Sequence, residues 1–157
     1  NLMERGYRKG VGIFLFNSKG KLWVGKRIDN KNDYWQMPQG GVDEGESEEE
    51  AMRREMNEEV GLETGYDIVG ISSGYHKYEL PSKIVNFVWN GKYKGQIQRW
   101  FYCRFNGSDS IINVNKYIKP EFLKWKWIDP YDSTKLVVPF KKKLYESVLN
   151  EFEKIST

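Results

Sequence analysis

The chain has 157 residues, 25 Lys and Arg against 22 Asp and Glu, and is 39% hydrophobic with 15% aromatic content. That is enough apolar material for one core and too little length to require a second, so a single domain over residues 1–157 is expected. One cysteine, Cys103, excludes an internal disulfide and favours a reducing compartment, and no apolar run reaches the roughly 18 residues of a membrane helix; a soluble, cytoplasmic chain with no membrane partner is expected.

In chain order, residues 11–16 (VGIFLF) and 22–27 (LWVGKR) flank the polar Asn17-Ser18-Lys19-Gly20 and read as a β-hairpin. Residues 28–33 are polar and loop-like, and Pro38 holds the backbone extended just before Gly40 and Gly41. Ser47 is an N-cap with Glu50 as its capping-box partner, and Gly61 is the expected stop, so a helix runs from about residue 47 to 60. Beyond it, residues 68–71, 75–80, 84–89, 98–105 and 122–128 are strand candidates. The tail, 138–155, places Phe140, Leu144, Val148, Leu149, Phe152 and Ile155 at three- and four-residue steps, the pattern of an amphipathic helix. Strand, strand, helix, several strands, helix is the order of an α/β sandwich with a mixed sheet between helices. Cys103 falls in an apolar run with no histidine near it and reads as core, and His76, the one histidine, as a polar loop residue.

The chemistry concentrates in the predicted helix. Glu55, Glu58 and Glu59 stand at i, i+3 and i+4, which puts three carboxylates on one stripe within about 6 Å of one another. Alone, such a triplet is most often a wet surface. The alternative is a site for a hard divalent cation, which prefers oxygen ligands and removes the mutual repulsion. The acidic residues gather between Asp43 and Glu63, leaving a basic remainder that includes Lys26, Arg27, Lys92, Lys94, Arg99 and residues 141–143. That remainder is either a solvated positive face or a surface for a polyanion.

The flanks bear on the choice. Gly40, five residues, Glu46, seven residues, then Arg54-Glu55-Met56-Asn57-Glu58-Glu59-Val60-Gly61-Leu62 resembles a complete Nudix box, with no position departing from it. The resemblance implies a Nudix-type α/β/α sandwich with a loop-helix-loop catalytic motif. It also implies hydrolysis of a nucleoside diphosphate linked to another moiety, with Mg²⁺ or Mn²⁺ held by Glu55, Glu58 and Glu59. Gly40, Glu46 and Gly61 would be structural. Arg54 would orient the glutamates, and Glu46 would tie the loop to the helix. The segment YWQMPQGG at 34–41, with RGYR at 5–8, GQIQRWF at 95–101 and PEF at 120–122, is similar to the bacterial branch of RNA pyrophosphohydrolases and dinucleoside polyphosphate hydrolases. The stretch 28–34 is longer than that branch usually shows.

On that resemblance Glu121 supplies a further carboxylate from outside the helix, and the proton acceptor is Glu58, Glu59 or Glu121, a choice that spacing does not make. Read without it, Glu121 is a surface glutamate. Arg8 and Arg27 are carried over as contacts to the phosphates or 5′ end, and Tyr78, Gln96, Val138 and Lys141 as contacts to a nucleotide or its base. Tyr78 suits either stacking on a base or plain packing. The expected partner is a nucleotide or an RNA 5′ end. A binding module that had lost catalysis would be expected to lack one of the three box glutamates, and none is missing.

Overall fold

The computed structural model describes residues 5–29 and 32–156, with no side-chain detail at residue 156. Seven strands form one sheet: β1 (Gly6–Phe16), β2 (Leu22–Arg27), β3 (Gln39–Gly41), β4 (Tyr66–Ile71), β5 (His76–Glu79), β6 (Tyr93–Phe105) and β7 (Phe122–Ile128). The main path is β4-β6-β1-β2-β7, with β3 added to β1 and β5 to β6. The sheet is mixed, as expected: β1 and β6 are parallel over eleven residue pairs, from Gly6 opposite Tyr93 to Phe16 opposite Arg104, and the other pairings are antiparallel.

The β1–β2 hairpin closes as the sequence predicts. Gly20 takes the left-handed conformation at φ 73°, and the Asn17 side chain accepts from the backbone N–H groups of Lys19 and Lys21. Alternation then sends side chains to two cores. Val11, Ile13, Leu15, Trp23, Phe101, Cys103 and Phe105 meet Ala51, Met52, Met56 and Val60 on one face. Phe14, Leu22, Val24, Trp100 and Tyr102 meet Leu144, Tyr145, Val148 and Leu149 on the other. These last four belong to α3 (Lys142–Ser156), which packs opposite α1 (Glu48–Glu55). The layers are helix, sheet, helix. Truncating a central anchor such as Met52 to Ala would cost about 2–5 kcal/mol, as for other buried methionines.

Cys103 is fully buried and burial pushes its thiol up to about 12, so it is an inert core residue. Residues 84–89 are not a strand. Ile84 and Val85 donate to the Pro81 carbonyl and Val88 to that of Ile84, a turn-by-turn winding between Pro81 and Gly91 that buries Val85 and leaves Phe87 exposed. The predicted tail helix begins later, at Lys142, after a short 3₁₀ turn at Pro139–Lys141, and α2 (Ser133–Leu136) precedes it. His76 is on β5 rather than in a loop, with its ring nitrogens 2.8 Å from Ser147 Oγ and 2.9 Å from Glu151 Oε1 on α3. Of the polar stretch 28–33, residues 30 and 31 lie outside the described residues. No helix among the described residues is long and apolar enough to cross a membrane.

Candidate active site

The site is built around a capped helix with an irregular end. Ser47 accepts from the Glu50 N–H at 3.0 Å while the Glu50 carboxylate accepts from the Ser47 N–H at 3.1 Å, the reciprocal capping box the sequence predicts. Regular α winding stops at Glu55. Residues Met56–Val60 are wound as a π-helix, with the Gly61 N–H reaching back to the Met56 carbonyl at 3.1 Å and Gly61 closing the turn at φ 82°. The expected helix over 47–60 is therefore two segments, and the extra residue in the last turn rotates the carboxylates relative to an α-helical stripe.

The consequence is a division of the three glutamates. Glu55 and Glu59 are buried, 8% and 4% exposed, and turn towards β3, where Glu59 accepts from the Gln39 N–H at 3.0 Å. Glu58 faces outward beside Arg54 Nη1 at 3.5 Å and, with Arg54, Asn57, Tyr117 and Lys119, lines a depression apart from the main cleft. Glu58 and Glu55 nonetheless meet the same Arg54 Nη1, at 3.5 and 2.7 Å, and among the described residues no three acidic, histidine or cysteine groups converge as a ready metal shell.

Arg54 is the hub of the motif. Its Nε and Nη2 donate to the two oxygens of Glu46 at 2.8 and 2.9 Å, Nη1 to Glu55 Oε1 at 2.7 Å and Nη2 to the Gly41 carbonyl at 2.8 Å. The planar fork holds the loop, the helix and β3 together. Held by Arg54, the Glu46 carboxyl drops to about 2. Burial pushes the Glu55 carboxyl up to about 7, with Glu58 and Glu121 adding repulsion against the favourable Arg54 contact. Burial, then the charges of Glu55 and Glu121, raises Glu59 well above the usual carboxylate range.

Two adjacent glycines make this packing possible. A Cβ on Gly40 would collide with the Glu55 carboxyl, and one on Gly41 with the Arg8 guanidinium. A carboxylate and a guanidinium thus rest against consecutive residues of β3. Glu121, half-exposed, arrives from the loop before β7, its backbone carbonyl accepting from the Ile28 N–H at 3.1 Å and its carboxylate 3.7 Å from Arg27 Nη2.

These parts open on one cleft of about 330 Å³ whose lining includes Arg8, Arg27, Gly40, Glu59, Tyr78, Gln96, Glu121 and Lys141. A second cavity of about 480 Å³ adjoins it through Arg27, Gln36, Ile84, Phe140 and Lys141 and adds Tyr34 and Val138. The substrate residues expected from the sequence therefore share one continuous groove. Tyr78 is 5% exposed, with Lys141 Nζ 5.0 Å from its ring centroid and Phe140 packed beside it, so packing occupies the face that base stacking would need. Lys141 is itself buried, donates to Gln39 Oε1 at 3.2 Å, and burial with nearby Arg27 brings its ammonium down to about 8. Gln39, which joins Glu59, Tyr78 and Lys141, was not singled out from the sequence, and neither were Trp89 and Phe140. The signal for Gln39 was its position between Pro38 and the glycines, where an extended backbone must present an N–H sideways.

The donor set suits a hard divalent cation. Glu55 against Gly40 and Glu59 on the Gln39 N–H are buried and repel each other, Glu121 adds its charge to theirs, and oxygen ligands of this kind are the chemistry such cations take.

The NUDIX domain pattern matches residues 6–148. RNA pyrophosphohydrolase of Wolbachia pipientis subsp. Culex pipiens is 46% identical over 152 residues, covering 97% of this chain and 93% of that protein. RNA pyrophosphohydrolase of Rickettsia bellii is 44% identical over 149 residues, covering 95% and 91%. Among solved structures, the E. coli dihydroneopterin triphosphate pyrophosphohydrolase superposes with a TM-score of 0.66 at 20% identity, covering 91% of this chain and 97% of that one. A C. elegans Ap4A hydrolase binary complex gives 0.63 at 16% identity, covering 92% and 98%. The chain belongs to the NUDIX family, and it is an enzyme of the pyrophosphohydrolase kind. Nudix hydrolases generally require divalent cations.

Proposed function

We propose that this enzyme removes pyrophosphate from the 5′-triphosphate end of RNA, using Mg²⁺, or Mn²⁺ in its place. The observation that carries this reading is the meeting, in one cleft, of Glu59 and Glu121 with Arg8, Arg27 and Lys141. Carboxylates alone would repel a polyphosphate, and cations alone would bind it without reaction. Side by side they suit phosphoanhydride hydrolysis. The 44–46% identity to proteins named RNA pyrophosphohydrolase supports the choice of substrate, and an RNA substrate implies the cytoplasm.

In this reading Glu55, Glu58, Glu59 and Glu121 hold the cation, Glu58 after turning from its place beside Arg54. When bound, the cation supplies the charge that the phosphoryl oxygens need and makes water easier to deprotonate. Arg8 and Arg27 bind and orient the triphosphate, Lys141 adds a buried positive charge at the junction of the two cavities, and Gln96 forms part of the floor. Val138 and Phe140 offer an apolar wall to a base, and Tyr78 braces Lys141 rather than stacking on one. The protein's own proton acceptor is one of Glu58, Glu59 and Glu121. Arg54 and Glu46 act by holding Glu55 in place.

A dinucleoside polyphosphate presents the same phosphate chain, so diadenosine tetraphosphate is expected to be cleaved as well. The test is incubation with Mg²⁺ or Mn²⁺ and, separately, triphosphorylated RNA and diadenosine tetraphosphate, with products resolved over time. Pyrophosphate release from RNA at the higher kcat/KM is the expected result. Release from neither would overturn the assignment.

A further inference from the structure

Outside the cleft, three lysines gather on one edge of the sheet. Lys26 on β2 lies opposite Lys124 on β7, and Val24 opposite Lys126, so Lys26, Lys124 and Lys126 share a face. Lys124 and Lys126 stand over Trp35. Lys126 Nζ stands 4.1 Å from a Trp35 ring centroid and Lys124 Nζ 5.5 Å, so the indole holds both ammonium groups in place. Lys26 pairs with Asp33 at 3.2 Å, and Asp33 also feels Lys124. Among the described residues Lys124 and Lys126 make no ion pair, and both are exposed. The cluster therefore carries an excess of positive charge at fixed positions.

Its location gives that charge a use. Asn32 and Tyr34 line the outer cavity of the groove, and Asp33 between them holds Lys26 Nζ at 3.2 Å. A strand of nucleic acid that left the groove past Tyr34 would run towards these lysines. A dinucleoside polyphosphate ends with its second nucleoside and has no phosphates left to reach them.

We propose that Lys124 and Lys126, set over Trp35, and Lys26 beside them form a track for the phosphodiester backbone of RNA downstream of its first nucleotides. The track binds without reading sequence, because lysine offers a point charge to each phosphate. The proposal rests on the RNA reading above and deepens it: the lysines would make the enzyme prefer long 5′ ends to short ones.

The test compares kcat/KM for a triphosphorylated dinucleotide with that for a triphosphorylated single strand of on the order of ten nucleotides, using wild type, K124Q/K126Q and the charge-matched control K142Q/K143Q on exposed positions of α3. In the proposed arrangement, wild type favours the long strand and K124Q/K126Q lowers the long-to-short ratio about tenfold, mainly through KM. The salt dependence of long-strand KM also flattens by about 1.4 in logarithmic slope, the share of two phosphate contacts on single-stranded nucleic acid. The control keeps the wild-type ratio. An unchanged ratio in K124Q/K126Q, or an equal fall in the control, would overturn the track while leaving the RNA reading standing. A wild type that cleaves diadenosine tetraphosphate but neither RNA would instead remove the RNA reading, and the track with it.

Discussion

Glu55→Gln should stabilise the metal-free protein, increasingly so as pH rises. The Glu55 carboxyl sits at about 7 because burial disfavours its charge, against an ordinary 4.5. A carboxyl raised in the folded state adds stability that is fully present below about pH 4.5 and is lost as pH climbs through 7. The full loss is about 3 kcal/mol. Glutamine keeps a carbonyl oxygen for Arg54 Nη1, which Glu55 accepts at 2.7 Å, and removes the charge. In chelator, wild type and E55Q should therefore be close in stability near pH 5, separate progressively between about pH 5 and 7 with E55Q ahead, and keep a constant gap above that. For a chain of this size the gap corresponds to a Tm difference on the order of 6–12 °C. Saturating Mg²⁺ should reverse the order, because the wild-type carboxylate then gains a partner that the amide serves poorly. Differential scanning fluorimetry across that pH range, with and without Mg²⁺, measures both effects. Parallel curves for the two proteins in chelator would refute the account of Glu55 as a buried, under-compensated carboxylate.

Other substitutions probe the same assembly. Arg54→Lys removes the fork that reaches Glu46, Glu55 and the Gly41 carbonyl together, and should lower kcat/KM by about 10–100-fold in steady-state assays without restoration by higher substrate. Gly40→Ala pushes a methyl into the Glu55 carboxyl, so calorimetry should find Mg²⁺ binding weakened by about tenfold or more. Lys141 loses its proton near pH 8, so KM for a triphosphorylated substrate should rise as pH passes that value; Lys141→Arg should flatten the rise, since arginine stays charged.

Much of this architecture was legible because local signals and burial agreed. β2 and β7 match the expected runs 22–27 and 122–128 residue for residue, and the Ser47–Glu50 cap and Gly61 stop mark the helix ends. Where the reading failed, two physical states share one pattern. Residues 84–89 are apolar except for Asn86, much as a buried strand would be, yet Pro81 and Gly91 frame them as turns whose side chains divide between cleft and solvent. The π winding at Met56–Val60 leaves the same apolar positions, Met56 and Val60, facing the core, so no hydrophobic period reports it. What differs along that turn is burial: Glu55 and Glu59 are enclosed while Glu58 stays half-exposed beside Arg54. β3 escaped notice because its two glycines carry no strand propensity; its pairing with β1 comes from the tertiary structure alone. The cleft needs β1, β3, β5, β6 and the 3₁₀ turn before α3 at once, so its membership followed from resemblance and not from spacing.

The long parallel seam between β1 and β6 also governs how the molecule assembles. Ile13 pairs with Phe101, 88 positions later, so the centre of the sheet closes only after more than half of the chain has been threaded between its two sides. Contacts so remote in sequence slow folding, whereas the adjacent β1–β2 hairpin can zip early. Arg8 rides on one partner of this seam and Gln96, directly opposite it, on the other. Refolding from denaturant should thus recover hairpin structure first and turnover last, making catalytic activity a clock for the final closure of the sheet.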